Sequence, residues 1–342
     1  MQLAIWPVAA MALNITYHRD EPLAPTPLPP SHAESDGEEI IRLFQNLGRS
    51  TVWKTVESID LEGDTFEPEG MIRLGSDRFI LSAGQWTKRT EKYGEIIDGT
   101  DRTPGEGFSH LMVYNGKGQI IADATISAPG DIEYHNGGLD WDGQFIWGTN
   151  AQYRPNTTAY VYKADPYTLE PSTVLRYRDH LGGMVRNAAR NTLTALTWGA
   201  RRAATWDLDA IGSAASSSSS STSNDVPWPE PRSVIRNPSH FIDYQDCKFL
   251  GCSEFYSGRN IALCSGVATI GDEYNLGGIA LVDVDTMVPL VEVPISLGSK
   301  SGVRLTQNPM DVSVVEGKLR LYLAPDQHRS TVYVIEAQPE PL

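Results

Sequence analysis

The sequence contains seven histidines, and three of them stand where a protonatable side chain could do acid–base work. These are His135 in "EYHNGGLDWDG", His180 in "RDHLGGMVRN" and His240 in "NPSHFIDYQD". Carboxylates and an amide hold the corresponding place in two further segments: Glu67 and Glu69 in "EPEGMIRLG", and Asn308 in "NPMDVSVV". Histidine titrates near neutrality, and a neighbouring carboxylate sets where it does so. On this reading Glu69, His135 and His180 are the candidates for proton transfer. Glu67, Asn136, His240 and Asn308 would hold a ligand beside them. The alternative for each side chain is a cap on a backbone group where strands converge. Trp86, Tyr93, Tyr153, Trp198 and Tyr274 fall at or just beyond the ends of strand-like runs and would floor a pocket for a large apolar ligand. For Trp147 and Trp198 packing between repeats is the simpler reading.

Several other chemistries find no support in the residues. There is no G-x-S-x-G elbow, no H-E-x-x-H, no P-loop and no dinucleotide fingerprint. "DWDG" at 140–143 offers an Asp-x-Asp pair for calcium, but such a pair in a turn ordinarily serves the turn. Three cysteines do not make a disulfide framework, although one bridge is open to them, with Cys247–Cys252 the pairing to suspect. Their C-x4-C spacing has no second pair, so no metal site is expected. The formal charge of −15 leaves no basic face for nucleic acid and disfavours an anionic membrane surface.

The elements that must position these residues are strands. The 342-residue chain has 30 Gly, 22 Pro and 14 Tyr, and no long helical pattern, a mix that favours many short strands with tight turns. Five segments repeat one design, beginning near Glu67, Tyr134, Asp179, Pro238 and Asn308. Each has a polar start, an apolar strand, a turn and a second strand, and four of them add a third and fourth strand. This predicts a single closed all-β propeller of four-stranded blades, five in number, with six the alternative. The last repeat lacks its fourth strand, and "TVWKTVESIDL" (51–61) is left to supply it and close the ring. The Gly-Gly pairs fall where first strands crowd the central channel.

The propeller domain is thus expected over 51–342, with inserts at 87–108 and 212–231. The first insert would overhang the channel mouth as a lid, and the second carries a low-complexity serine tract. Residues 19–50 read as a Pro-rich leader followed by a short surface helix. Residues 1–18 hold an apolar run with some signal-like character, too short to span a bilayer. With sequons at Asn14 and Asn156, this leaves a secreted glycoprotein or a cytoplasmic protein open.

At "EPEGMIRLG", "YHNGGLDWDGQFIWGTNAQYRPNTTAYVYKADP", "DHLGGMVRN" and "NPSHFIDYQDCKFLG" the chain resembles a family of fungal propeller proteins. Some members of that family resemble the hetero-Diels-Alderases of tropolone-sesquiterpenoid biosynthesis. The likeness lies in overall pattern from about residue 50 onward and assigns no catalytic residue. It implies an enzyme without metal or redox cofactor, a pericyclase of secondary metabolism. Its substrates would be a hydroxymethyl tropolone or related phenol, dehydrated to an o-quinone methide, and a humulene-type sesquiterpene to which that diene adds. Dehydration needs an acid and a base, for which His135, His180 and Glu69 are candidates. Cycloaddition needs two apolar partners held together away from water. Two rival classes stay open. One is a metal-dependent hydrolase or lactonase drawing on Glu69, Asn136 and Asn308, and the other is a non-catalytic binding propeller.

Overall fold

A computed structural model describes residues 14–217, 226–271 and 274–338. The apolar run before residue 14 and residues 218–225 of the serine tract lie outside the described residues. The chain forms a five-bladed β-propeller of antiparallel sheets. From the axis outward, blade one holds Glu67–Arg73, Arg78–Lys88, Glu106–Asn115 and Ile120–Thr125. Blade two begins with a split first strand, His135–Asn136 and Asp140–Trp141, followed by Ile146–Ala151, Ala159–Ala164 and Pro171–Tyr177. Blade three runs Gly183–Asn187, Thr192–Leu196, Arg202–Asp207, Ser233–Arg236. Blade four runs Asp243–Ser253, Arg259–Ile270, Tyr274–Asp283, Val288–Pro294. Blade five runs Met310–Val315, Lys318–Leu323, Thr331–Gln338, and its outermost strand is Val52–Asp60. The closing strand pairs along its length with Thr331–Gln338, from Val52 opposite Gln338 to Asp60 opposite Thr331. Among the described residues no helix is long and apolar enough to cross a membrane.

Alternation along each strand sends apolar side chains to both faces, and each face packs on the next blade. Met71, Phe79 and Leu81 of blade one meet Tyr322, Val332 and Val334 of blade five. Trp147 and Leu175 of blade two meet Leu193 and Trp206 of blade three, so Trp147 is a packing residue. At the axis the backbones touch. A Cβ on Gly137 would lie 2.3 Å from the Gly182 carbonyl oxygen, which itself accepts the Gly138 N–H at 3.0 Å. The paired glycines of blades two and three are therefore required by close approach.

The channel is closed midway by a buried ion pair. Lys248 and Asp246 of blade four are 2.6 Å apart and almost fully buried. The other Asp246 oxygen accepts the N–H groups of Met71 (3.0 Å) and Met310 (2.9 Å), and Lys248 Nζ donates to Leu139 O at 2.7 Å. One i, i+2 pair thus joins four blades and gives the funnel above it a floor.

The N-terminal segment is built into the fold. Asn14–Tyr17 adds a fifth strand to blade one. The expected surface helix, Gly37–Leu43, instead buries Ile40, Ile41 and the following Phe44 completely against blades four and five. Helical spacing marks its apolar stripe but not the surface that covers it. The disulfide also differs from the suspected pairing. Cys247 is bonded to Cys264, directly opposite it on the neighbouring strand, while Cys252 is free and exposed. Cys247 and Cys252 share one strand, which keeps them apart.

Candidate functional site

The site lies on the funnel side of the ion-pair floor, where the first strands of the blades begin. In blade one a bulge between Pro68 and Gly70 takes Glu69 out of the ladder, and Glu67 and Glu69 both line the cavity. In blade two His135 opens the split first strand, and in blade three His180 sits just ahead of the glycine pair. Asn308 precedes the first strand of blade five with a left-handed backbone, φ 59°. Its N–H donates to Gln245 Oε1 at 2.9 Å and its Nδ2 to Glu69 Oε1 at 3.3 Å.

The proton affinities of Glu67, His135 and His180 are driven apart. His135 Nε2 lies 3.5 Å from Glu69 Oε1, and its Nδ1 is buried without a hydrogen-bond partner among the described residues. Burial would lower His135, but the charges of Glu69 and Glu67 outweigh it and hold the imidazole above its ordinary value. His180 goes the other way, down to about 3, through burial and the neighbouring charge of His135. Its Nδ1–H donates to Gln152 O at 2.7 Å, which fixes a neutral tautomer with a free Nε2 lone pair. Burial and the Glu69 charge raise Glu67 to about 7, with His135 pulling back. Gln327 Nε2 holds one Glu67 oxygen at 2.9 Å.

Aromatic rings enclose this polar base. Tyr153 stacks on His135 at 5.0 Å, and Trp198 meets His180 edge-on at 4.8 Å. Trp198 is thus a cavity wall that also packs edge-on against Tyr153 of blade two at 5.3 Å. The cavity has two lobes that share Glu67 and Tyr153. The lower one, about 440 Å³, holds Glu69, His135, His180 and Asn308. The upper one, about 280 Å³, is walled by Trp86, Tyr134 and Tyr153, with Arg89 over the Trp86 ring at 4.6 Å. The 87–108 insert borders the upper lobe through Arg89 and Thr90. Its strands Lys92–Ile97 and Thr100–Arg102 pair with each other, and Arg102 lies over Tyr153 and Trp198 at 5.4 and 4.9 Å. At the hairpin tip the Gly99 carbonyl accepts from Asn156 Nδ2 at 2.6 Å. The propeller therefore presents a walled cavity able to take up a small ligand.

Glu67, Glu69, His135, His180, Asn308, Trp86, Tyr153 and Trp198 come together in this way, and four other sequence candidates do not. Asn136 is buried outside the cavity, donating to His110 O and accepting from Tyr162 OH, both at 2.8 Å. His240 is exposed and lines neither lobe. Tyr274 is exposed on the blade-four hairpin, under Arg304 at 5.9 Å. Tyr93 faces a separate groove. The metal reading needed Glu69, Asn136 and Asn308 together, and Asn136 points elsewhere. Among the described residues no group of three or more His, Cys, Asp and Glu side chains is placed to hold a metal ion. Asp142 of "DWDG" serves its turn, accepting the N–H groups of Gln144 and Phe145 at 2.9 and 2.7 Å. Sequence reasoning missed Tyr134 and Gln327, which come from loops whose reach no periodicity announces, Arg102 of the insert hairpin, and Gln245, the third residue of the first strand of blade four.

Solved structures are similar to this one at low identity. A hypothetical protein from Leishmania major is 11% identical, with a TM-score of 0.44, covering 84% of this chain and 91% of that one. The mannose phosphorylase MPT-4 from Leishmania mexicana is 11% identical, with a TM-score of 0.43 and coverage of 82% and 88%. A luciferin-regenerating enzyme is 10% identical, with a TM-score of 0.40 and coverage of 84% and 95%. No curated protein matches the sequence. The model of a family of unknown function, DUF6454, matches residues 30–341, and the chain belongs to that family.

Proposed function

We propose that the protein is an enzyme that dehydrates a hydroxymethyl tropolone or related phenol to an o-quinone methide. It then guides hetero-Diels–Alder addition of that diene to a humulene-type sesquiterpene. The observation that carries this reading is the meeting of Glu69 with Glu67, His135 and His180, the last three with proton affinities pushed apart, at the base of a two-lobed aromatic cavity. Groups separated in this way divide acid and base roles between them.

In the first step Glu67, which holds its proton up to about pH 7, donates to the benzylic-type hydroxyl. The C–O bond breaks and water leaves. The Glu69 carboxylate takes the proton of the ring hydroxyl, so one proton is given and one received. His135 favours its charged form and steadies the ring oxygen as negative charge builds there. His180 Nε2 accepts a hydrogen bond and orients the substrate. It does not serve as the acid, which changes the role its sequence position suggested. In the second step the diene and the alkene occupy adjoining lobes, and holding them in near-attack geometry is worth up to about 7–11 kcal/mol in model systems. Walls of Trp86, Tyr134, Tyr153 and Trp198 keep water from the quinone methide.

The test is incubation of purified protein with the hydroxymethyl precursor and humulene, followed by chiral chromatography of the dihydropyran. One dominant stereoisomer, formed faster than in buffer, is the expected outcome. Glu67→Gln and His135→Gln should each lower the rate about 10²–10⁴-fold. A precursor with a good leaving group, which forms the quinone methide unaided, should restore the rate and the isomer ratio. The isomer mixture and rate of buffer alone would end this reading.

A further inference from the structure

Beside the central cavity, and separate from it, runs a groove of about 490 Å³ between the insert hairpin, the 152–158 loop and Trp228. Its walls include Tyr93, Thr100, Arg154, Thr158, Arg178 and Trp228. Two features set it apart on a chain of net charge −15. First, two guanidinium groups line it with no ion-pair partner among the described residues. Arg154 donates its Nε–H to Gln152 Oε1 at 2.9 Å and an Nη1–H to Arg102 O at 3.5 Å, and it has no ion pair among the described residues. Arg178 has neither hydrogen bond nor ion pair among them and lies over the Trp228 ring at 5.0 Å. Nearby Arg176 and Arg102, by contrast, are neutralised by Glu133 and Asp101. Second, both aromatic walls are open to solvent, Trp228 at 41% and Tyr93 at 36% exposure. Asp98 is the one carboxylate along the groove.

We infer that this groove is a second binding site, for a planar aromatic molecule that carries a carboxylate. Arg154 and Arg178 meet the carboxylate, a geometry in which guanidinium groups give two parallel donors. Trp228 and Tyr93 take the ring. The inference does not depend on the chemistry proposed for the central cavity. The two sites do share a loop. The Gln152 side chain orients Arg154 in the groove, while its backbone carbonyl holds His180 Nδ1 in the cavity.

The experiment is calorimetric titration of the full chain with 2-naphthoate and, separately, with neutral 2-naphthalenemethanol. Saturable one-to-one binding of the acid is expected, with the alcohol at least about tenfold weaker. Arg154→Gln/Arg178→Gln and the single Arg178→Gln should each weaken the acid, the double variant at least about tenfold. Arg236→Gln, which removes an exposed guanidinium from the outer strand of blade three, should leave binding unchanged. Absence of binding to the unmodified protein, equal binding of acid and alcohol, or full affinity in the double variant would each overturn the site. Equal competition by inorganic phosphate would overturn the aromatic part of the assignment.

Discussion

At one end of the channel His32 has both ring nitrogens engaged by carboxylates, Nδ1 with Asp36 at 2.7 Å and Nε2 with Asp311 at 3.1 Å. At the other end His135 has Glu69 at 3.5 Å from Nε2 and a buried Nδ1 with no hydrogen-bond partner among the described residues. Both ends set an imidazole beside acid. The difference is completeness. Asp311 also accepts the backbone N–H groups of Arg73 and Val312, and Asp36 that of Val314, so each oxygen at the His32 end is used. The His135 end keeps an unsatisfied donor, a raised carboxyl and a free His180 lone pair facing open space. Complete satisfaction is what a structural clamp needs. Unspent hydrogen-bonding capacity under aromatic walls is what a ligand site needs.

The largest effect should come from removing the clamped end outright. A chain starting after residue 48 loses His32 and the three buried side chains of Ile40, Ile41 and Phe44. Each such side chain is worth about 1.5–3 kcal/mol, against a total stability of about 5–15 kcal/mol. The expected product is unfolded or insoluble, as read by circular dichroism and soluble yield. A folded truncation melting near the full chain would reduce the clamp to decoration.

Next in size is the pH dependence of the clamp. Asp311 and Asp36 outweigh the burial that would lower His32 and raise it from 6.5 to about 10. The folded state therefore binds more protons than the unfolded chain between these values. The stabilisation is complete below pH 6.5 and is lost as pH rises toward 10, on the order of 5 kcal/mol in all. Melting temperature should fall across that window, and His32→Asn should flatten the fall. The open end predicts the opposite sign for His180, which is held near 3. There the unfolded chain takes up the proton first, so stability is lost as pH drops from 6.5 toward 3. His180→Gln should blunt this acid limb, and an unchanged acid limb would contradict a buried neutral imidazole.

The parts of this contrast that were legible in the sequence are those set by repetition. Five like segments and one unpaired strand sufficed for the blades and their closure, and the Gly-Gly pairs marked the axis. The starts of first strands located Glu67, Glu69, His135, His180 and Asn308 for the same reason. Asn136 was misplaced although the error was legible, because adjacent strand residues face opposite ways and His135 already took the channel side. His240 stands as far ahead of its first strand as His180 does of its own, yet it is exposed outside the funnel, and the spacing does not show that difference. The Asp246–Lys248 floor could have been suspected from charges two apart on an innermost strand. The Cys247–Cys264 bond could not, since bulges between Tyr244 and Asp246 and between Phe249 and Gly251 set the register that makes them opposite. The clamp was hidden because its partners, His32 and Asp311, are far apart in the chain.

The smallest effect separates positioning from stability at a single residue of the open end. Asn308 combines a left-handed backbone, φ 59°, with the amide contact to Glu69. Asparagine tolerates that backbone better than most side chains, glycine adopts it freely, and alanine pays a steric penalty of about 1–2 kcal/mol. Asn308→Gly and Asn308→Ala both delete the contact to Glu69 and both keep the N–H that Gln245 accepts. Thermal melting should therefore rank the proteins with glycine close to wild type and alanine lower by about 1 kcal/mol. Any function of Glu69 should not follow that order. If the amide fixes the Glu69 carboxylate, both variants should lose a similar several-fold fraction of turnover, because both leave the carboxylate without its second partner. A loss that tracks the melting order instead, with glycine fully active, would make Asn308 a turn residue only. It would leave His135 as the sole group that positions Glu69.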